Sequence, residues 1–242
     1  MTSFDPSPKG IVRSLDYADG KVVFGGGFTT VGSTPVTYLA AASASSGALV
    51  SGFPSADGVV YVVKTRGASV FVGGEFSRVG GVSRGRVAQL STSGTVLAYR
   101  TTPGSPVYDL AVDSTGVYLA TGGGLPGGNS LYKTTSSGGI VWQVPTDGNM
   151  QAVEVIGDTV YAGGHFNNIC GSTERECTSP TRAKKAFTAS TTGTTPNPRP
   201  WARFNSALGV WDLTAAGGNL YALGVFTKVN GAAVPRIARF QA

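Results

Sequence analysis

The stretch VFVGGEFSRVGG, residues 70–81, decides how the rest of the chain is interpreted. A strand-like apolar run ends in two glycines, which are followed by an acid, a phenylalanine and two more glycines. A dinucleotide-binding loop is one interpretation of such a turn, but that loop leads directly into a helix. No helical pattern follows residue 81, and the stretch is not unique in the chain. We therefore interpret it as one copy of a structural repeat.

Five copies of this stretch occur along the chain. They begin at residues 22, 70, 117, 160 and 220, so successive copies lie 48, 47, 43 and 60 residues apart. Four copies keep a glycine at their fifth position and a phenylalanine at their seventh, whereas the third copy, VYLATGG, is degraded. A period of about 40–50 residues indicates supersecondary units that are each too small to bury their own faces.

Each copy is the second of four predicted strands. A turn signal such as Ala18-Asp19-Gly20 separates it from an apolar segment before it, which is typical of a β-hairpin. A third apolar segment and, after a Ser/Thr/Gly turn, a fourth follow it. Four antiparallel strands per repeat indicate a β-propeller blade. The sequence therefore predicts an all-β, five-bladed β-propeller in one domain, with blades at residues 11–56, 59–104, 106–147, 149–206 and 209–242.

The fifth repeat ends after its third predicted strand, at residues 239–242. The N-terminal sequence SFDPSP, residues 3–8, resembles the fourth-strand sequence GFPS at residues 52–55. We therefore expect residues 1–8 to complete the last blade. Such a closed ring has no open strand edge.

The repeated pattern VYxGGxF-[ST]-x-V-x-G, followed by an Arg-x-apolar-Ala strand, resembles the delta-60 repeat β-propeller family. The clearest copies are VFVGGEFSRVGG at residues 70–81 and VYAGGHF at residues 160–166. The resemblance covers all five repeats, although the third departs from it with ATGGGLPGG. It implies a bacterial, secreted propeller. It implies no activity, because the family is largely uncharacterised and has no agreed catalytic motif.

The composition narrows the classes of protein. The chain has 36 glycines, 13 prolines and only 13% charged residues, which favours short strands and turns over helices. No apolar run approaches the roughly 18–20 residues that a membrane-spanning helix needs. The first ten residues contain no signal-peptide core, so the chain is either cytoplasmic or has lost a signal. The net charge is +6 with the basic residues scattered, so we predict no nucleic-acid partner.

Both cysteines lie in the only long insertion, which belongs to the fourth repeat. Cys170 and Cys177 can close a small disulfide ring, worth roughly 2–3 kcal/mol in the chain-entropy model. Metal binding with His165 is the alternative, but a closed zinc site takes four ligands and the chain has no second histidine. We predict the disulfide, no metal and no cofactor. A disulfide favours an oxidising compartment, and hence secretion or the cell surface.

The residues near the start of each first strand and the end of each second strand are expected around the channel mouth of the propeller. These candidate ligand-binding residues are Arg13, Tyr61, Glu75, Tyr108, Gln151, His165 and Trp211. Aromatic faces with a few polar groups suit sugars and other small ligands. Packing of the aromatic residues between blades is the structural alternative.

The chain contains no evident catalytic constellation. Asp109 and Asp212 occupy the same repeat position, and two carboxylates can serve a glycosidase, but they can also hold backbone amides between blades. We predict a secreted or cell-surface, non-catalytic module that binds a glycan or a protein, as a monomer or a domain of a larger protein. The alternatives are a polysaccharide-acting enzyme that uses Asp109, Asp212, Glu75 or His165, and a structural module that assembles through its flat faces.

Overall fold

The computed structural model describes residues 4–123, 128–170 and 181–241. These residues form β-strands and no helix, and every described strand pair is antiparallel. None of them belongs to a helix that is long and apolar enough to cross a membrane. The chain divides into two compact units, an N-terminal unit of Met1–Pro103 and a C-terminal unit of Gly104–Ala242. The prediction of a single domain stays a prediction.

The N-terminal unit contains two of the repeats. Its strands are β1 (Pro8–Ala18), β2 (Lys21–Val31), β3 (Thr34–Pro35), β4 (Leu39–Ser43), β5 (Val60–Arg66), β6 (Ser69–Gly74), β7 (Arg78–Val79), β8 (Val82–Ser83) and β9 (Val87–Ser91). The first sheet pairs β1 with β2 and β2 with β3 and β4, and the second sheet has the order β5-β6-β9. The predicted fourth strands are reduced here to the single bridges Ala42–Leu49 and Leu90–Val96.

The C-terminal unit contains the other three repeats. Its strands are β10 (Val107–Val112), β11 (Val117–Thr121), β12 (Ser130–Thr134), β13 (Ile140–Pro145), β14 (Met150–Ile156), β15 (Thr159–Gly164), β16 (Asn168–Ile169), β17 (Thr181–Arg182), β18 (Ala186–Ser190), β19 (Arg199–Pro200), β20 (Val210–Ala216), β21 (Asn219–Gly224), β22 (Lys228–Val229), β23 (Ala232–Ala233) and β24 (Ile237–Gln241). The third sheet has the order β10-β11-β12-β13, the fourth β14-β15-β18-β19 and the fifth β20-β21-β24.

The phenylalanine that ends each good copy of the motif anchors the core of its unit. Phe28, Phe76, Phe166 and Phe226 are all at most 1% exposed. Phe76 packs with Phe53 from the end of the preceding repeat, and Phe226 packs with Phe204 in the same way. The phenylalanine therefore joins neighbouring repeats, as the apolar pattern predicts for units that cannot bury their own faces.

The first strands differ in exposure according to whether another sheet of their unit covers them. Val63 on β5 packs against the first sheet and is 1% exposed. Leu15 occupies the same repeat position on β1 and is 62% exposed. Within the described part of the N-terminal unit, no sheet covers that face of β1.

The N-terminal segment lies on the first sheet. Phe4 packs against the cluster that contains Phe24 and Phe28, and the carbonyl oxygen of Ser7 accepts a hydrogen bond from Gly32 N at 2.9 Å. The carbonyl oxygen of Ser55 accepts the equivalent bond from Gly80 N, between β7 and β8 of the second repeat, also at 2.9 Å. The likeness of residues 3–8 to residues 52–55 thus reflects docking on the next sheet along the chain. The prediction that residues 1–8 supply the fourth strand of the last blade is not confirmed, because the fifth sheet contains three strands.

Candidate functional site

All five first strands carry a β-bulge at the same repeat position. The ladder shifts register between Val12 and Ser14 on β1, and the same shift recurs on β5, β10, β14 and β20. A bulge leaves one residue outside the ladder and re-aims its side chain. The five residues at the bulges are the candidate first-strand residues Arg13, Tyr61, Tyr108, Gln151 and Trp211. We call them the bulge residues.

The second glycine of the motif makes room for the bulge. A Cβ atom on Gly74 would lie 2.1 Å from the carbonyl oxygen of Val59. Real Cβ atoms do not approach an oxygen this closely, and the oxygen cannot move freely because it accepts a hydrogen bond from Glu75 N at 2.9 Å. Cβ atoms on Gly26 and Gly164 would likewise lie 2.0 and 2.2 Å from the carbonyl oxygens of Ile11 and Asn149. The glycine that prompted the dinucleotide-loop interpretation is therefore needed for close strand approach.

The first glycine of the motif accommodates the next sheet. A Cβ atom on Gly25 would lie 2.3 Å from Cγ1 of Val60, and one on Gly163 would lie 2.8 Å from Cβ of Val210. Val60 and Val210 are fully buried by this contact. The two glycines thus have separate tasks, one within a sheet and one between sheets.

In the N-terminal unit the structure brings two candidate residues, Arg13 and Tyr61, into contact. The guanidinium carbon of Arg13 lies 5.1 Å from the centroid of the Tyr61 ring, although the two residues belong to different sheets. This is a cation–π contact, worth about 0.5–1 kcal/mol at an exposed site. Glu75 follows β6, and its amide bonds the strand that carries Tyr61. Arg13 and Glu75 are exposed and Tyr61 is half-buried, so a charged and aromatic surface faces solvent here.

In the C-terminal unit the other candidates lie on three sheets that follow one another. Tyr108 and Gln151 are half-buried, and Trp211 is 52% exposed. His165 is exposed beside the β14 bulge, since its amide donates to Asn149 O at 2.8 Å. Oε1 of Gln151 is buried without a hydrogen-bond partner among the described atoms. This unit therefore presents two aromatic residues and an unsatisfied amide oxygen at the bulge position, and an imidazole just after a second strand.

The geometry gives Asp109 a structural task. Its side chain is 8% exposed, and Oδ2 accepts a hydrogen bond from Val153 N on the next first strand at 2.8 Å. Ser14 accepts the equivalent bond from Val63 N at 3.0 Å. This repeat position therefore ties β1 to β5 and β10 to β14. The use of Asp109 as a catalytic carboxylate is not supported, because backbone amides occupy it, whereas Asp212 at the same position is exposed.

The described residues contain no metal-binding cluster and only one of the two cysteines. Residues 4–123, 128–170 and 181–241 contain no group of three or more His, Cys, Asp and Glu side chains that could hold a metal ion. Cys170 is 7% exposed at the end of its hairpin strand. Its predicted partner Cys177 lies outside the described residues, so the pairing stays a prediction.

Sequence analysis missed a brace that recurs after the motif phenylalanine. Oδ1 of Asp57 accepts hydrogen bonds from the amides of Ser77 and Arg78, both at 2.8 Å. Burial alone would raise the pKa of Asp57, but the bonds from Ser77 Oγ and from the two amides outweigh it and lower that pKa below its usual value. Asp147 and Asn205 make the same pair of bonds in the fourth and fifth repeats. The signal in the sequence was a carboxylate or amide at the end of each preceding fourth strand.

Comparison with known proteins supports the architecture. A family described as a domain of unknown function (DUF5122) β-propeller matches residues 69–96, which include the motif at residues 70–81. No curated protein sequence matches the chain.

Several solved structures are similar to the chain. The WD40 β-propeller domain of Doa1 superposes with a TM-score of 0.60 at 12% identity, over 96% of this chain and 64% of that one. The computationally designed Ika8 protein gives 0.51 at 11% identity, over 96% and 71%. The Pan2 WD40 domain of Neurospora crassa gives 0.50 at 12% identity, over 88% and 61%. The chain thus spans 64% of the length of the Doa1 domain. Identities this low speak for the fold alone, and that fold is the all-β architecture of a β-propeller.

Proposed function

We propose that the protein is a non-catalytic binding module whose five sheets are propeller blades and whose ligand contacts the bulge residues. One observation carries the proposal: all five first strands bulge at the same repeat position, and the chemistry of the residue there changes between repeats. The framework around the bulge is repetitive, whereas the bulge residues are an arginine, two tyrosines, a glutamine and a tryptophan. A varied set on a repeated framework suits one ligand with several distinct contacts better than five identical sites.

The chemistry of the set favours a carbohydrate ligand. Trp211 and the two tyrosines provide aromatic faces, and Arg13, Gln151 and Glu75 provide hydrogen-bond donors and acceptors. Sugar rings stack on aromatic faces through their C–H groups while polar groups fix their orientation. The β-strand framework also keeps the side chains in place before binding, which lowers the entropy cost of association.

An enzyme is the weaker candidate. Of the two carboxylates that share a repeat position, Asp109 is occupied by backbone amides. A glycosidase needs two carboxyl groups that face one glycosidic bond, and this arrangement leaves one of the pair unavailable.

A secreted or cell-surface location is part of the proposal. It is supported by the resemblance to secreted propellers and by the cysteine pair in one polar insertion. Thiol titration of the unreduced, denatured chain should detect no free thiol. Two free thiols per chain would remove the disulfide and the main physical argument for an oxidising compartment.

The experiment that tests the binding function is a glycan and polysaccharide array. Wild type should bind one class of glycan, and Trp211→Ala and Tyr108→Ala should lose that binding while their circular dichroism stays unchanged. Tyr17→Ala is the matched control, because Tyr17 is an aromatic residue 60% exposed on β1 and outside the bulge. Equal loss in the control, or no glycan bound by wild type, would contradict a carbohydrate site at the bulge residues.

A further inference from the structure

A basic pocket of about 540 Å³ lies in the C-terminal unit, beside the bridge that joins Phe204 to Val229. Three cations contribute to its lining and no carboxylate of the described residues does, so its formal charge is +3. The only described salt bridge of the chain is Lys21–Asp19, so the cations have no described acidic partner. The polar lining residues are Lys184, Arg203, Asn205, Lys228 and Asn230.

The same junction between repeats occurs in the N-terminal unit without the charge. Ala56 bridges to Val79 as Phe204 bridges to Val229. The amide of Ala56 donates to Thr37 O at 3.2 Å, as the amide of Phe204 donates to the carbonyl of a pocket lysine at 3.2 Å. The corresponding positions hold one acid and one base, so their formal charges cancel. The residues that correspond to Lys184, Arg203, Asn205 and Lys228 are Thr37, Ser55, Asp57 and Arg78.

A third junction, between the third and fourth repeats, is acidic. Thr146 bridges to Ile169, and its amide donates to Asn129 O at 2.8 Å. The residues that correspond to the polar pocket set include Asp147 and no base. They are Asn129, Pro145, Asp147 and Asn168. Among these three junctions, the corresponding residues carry excess positive charge only before the fifth repeat, so the repeat does not require that charge.

The role of Asn205 separates structure from charge. Its Oδ1 accepts hydrogen bonds from the amides of Thr227 and Lys228, at 3.0 and 2.8 Å. Asp57 makes the same two bonds to its turn with a carboxylate. The brace is thus complete with either side chain, and an aspartate here would neutralise a cation of the pocket. An amide at this position keeps the brace and leaves the pocket positive.

We propose that this pocket binds the phosphate or sulfate group of a small molecule. Two lysines and an arginine line the pocket, and ammonium and guanidinium groups are those that bind such oxyanions. Oδ1 of Asn230 already accepts a hydrogen bond from Arg203 N at 2.9 Å, so its amide nitrogen remains as a further donor. The volume exceeds what a bare oxyanion needs, so an ester of phosphate or sulfate fits it better than the free ion. The proposal does not depend on the bulge residues.

The experiment is calorimetric titration of the full chain with glucose 6-phosphate, glucose 6-sulfate, inorganic phosphate and uncharged glucose at constant ionic strength. Wild type should bind at least one of the two esters, more tightly than inorganic phosphate, and should not bind glucose. Asn205→Asp and Arg203→Gln should each weaken ester binding by roughly tenfold or more, because each removes or offsets one charged contact. Arg239→Gln is the matched control, since Arg239 is an exposed arginine of the same unit outside the pocket.

Each outcome decides the proposal. Preference for one ester identifies which oxyanion the pocket takes. Absence of saturable ester binding by wild type would overturn the proposal, as would equal weakening in Arg239→Gln, which would mean that net charge alone attracts the ligand. Asn205→Asp keeps both acceptor bonds to the turn, and an unchanged melting temperature would show that any lost binding does not come from unfolding.

Discussion

Alanine at Gly26 and alanine at Gly27 should have opposite effects on stability, although the two glycines are neighbours in β2. A Cβ atom on Gly26 would lie 2.0 Å from the carbonyl oxygen of Ile11, and contacts below 3.0 Å essentially never occur. The two strands must therefore separate by about 1 Å at this point. A Cβ atom on Gly27 would meet nothing within 4 Å.

The magnitude follows from these contacts. Forcing an extra carbon into a close-packed place costs about 1–3 kcal/mol, and loss of one ladder hydrogen bond adds about 1 kcal/mol. We expect Gly26→Ala to lower the free energy of unfolding by about 2–4 kcal/mol, or the melting temperature by roughly 5–15 °C. Gly27→Ala should be neutral or stabilising by up to about 1 kcal/mol, because alanine restricts the unfolded chain more than glycine does.

Differential scanning calorimetry is the suitable assay. All three tryptophans, Trp142, Trp201 and Trp211, belong to the C-terminal unit, so fluorescence would report on the wrong part of the chain. Equal destabilisation by the two substitutions would refute the reasoning, and so would a Gly26→Ala variant that melts like wild type. The first result would mean that backbone freedom, rather than strand approach, selects the glycines.

Three further predictions rest on other contacts. Gly163→Ala should destabilise the chain because the new Cβ atom would lie 2.8 Å from Cβ of Val210, and Val210→Ala should restore part of the lost stability. A double-mutant cycle measures this coupling, and strictly additive effects of about 1–3 kcal/mol each would contradict the contact. Val63→Ala should lower the free energy of unfolding, measured in urea, by about 1–3 kcal/mol, because Val63 is 1% exposed. Leu15→Ala should lower it by less than about 0.5 kcal/mol, because Leu15 is 62% exposed, and an equal loss would mean that β1 is covered in solution. Burial raises the pKa of Tyr118 to about 12 from 10.0, so the folded state holds this proton more tightly than the unfolded chain does. The free energy of unfolding should therefore be constant below pH 10 and fall between about pH 10 and 12. Tyr118→Phe should flatten that fall, and an unchanged pH profile in this variant would refute the assignment.

The sequence predicted the structure best at positions where a single physical constraint selects a single residue type. The glycine at the fifth position of the motif recurs because a Cβ atom there would lie 2.0–2.3 Å from a backbone carbonyl oxygen, and that constraint is the same in every repeat that keeps the glycine. The bulge residues could be located at one repeat position because the hairpin signals fix the start of each first strand. Their positions therefore came from the repeat, although the bulge itself did not, since a bulge leaves no alternation pattern of its own.

The features that the sequence did not predict depend on contacts between distant segments. The fourth strands of the first two repeats shrink to single bridges, whereas β13 is a full strand of six residues at the same place in the third sheet. The basic pocket combines Lys184 with Arg203 and Lys228, which the bridge at Phe204 brings together over more than forty residues. Scattered basic residues look unremarkable along the chain, and only the pairing of the strands makes them neighbours.

The bulges have a consequence for protein engineering. Each bulge residue lies outside the hydrogen-bonded ladder, and the five natural occupants range from arginine to tryptophan on the same backbone. A combinatorial library that varies only Arg13, Tyr61, Tyr108, Gln151 and Trp211 would change the chemistry at one position of each sheet without altering the glycines or phenylalanines that shape the sheets. The repeat would then serve as a display scaffold with one variable residue per sheet.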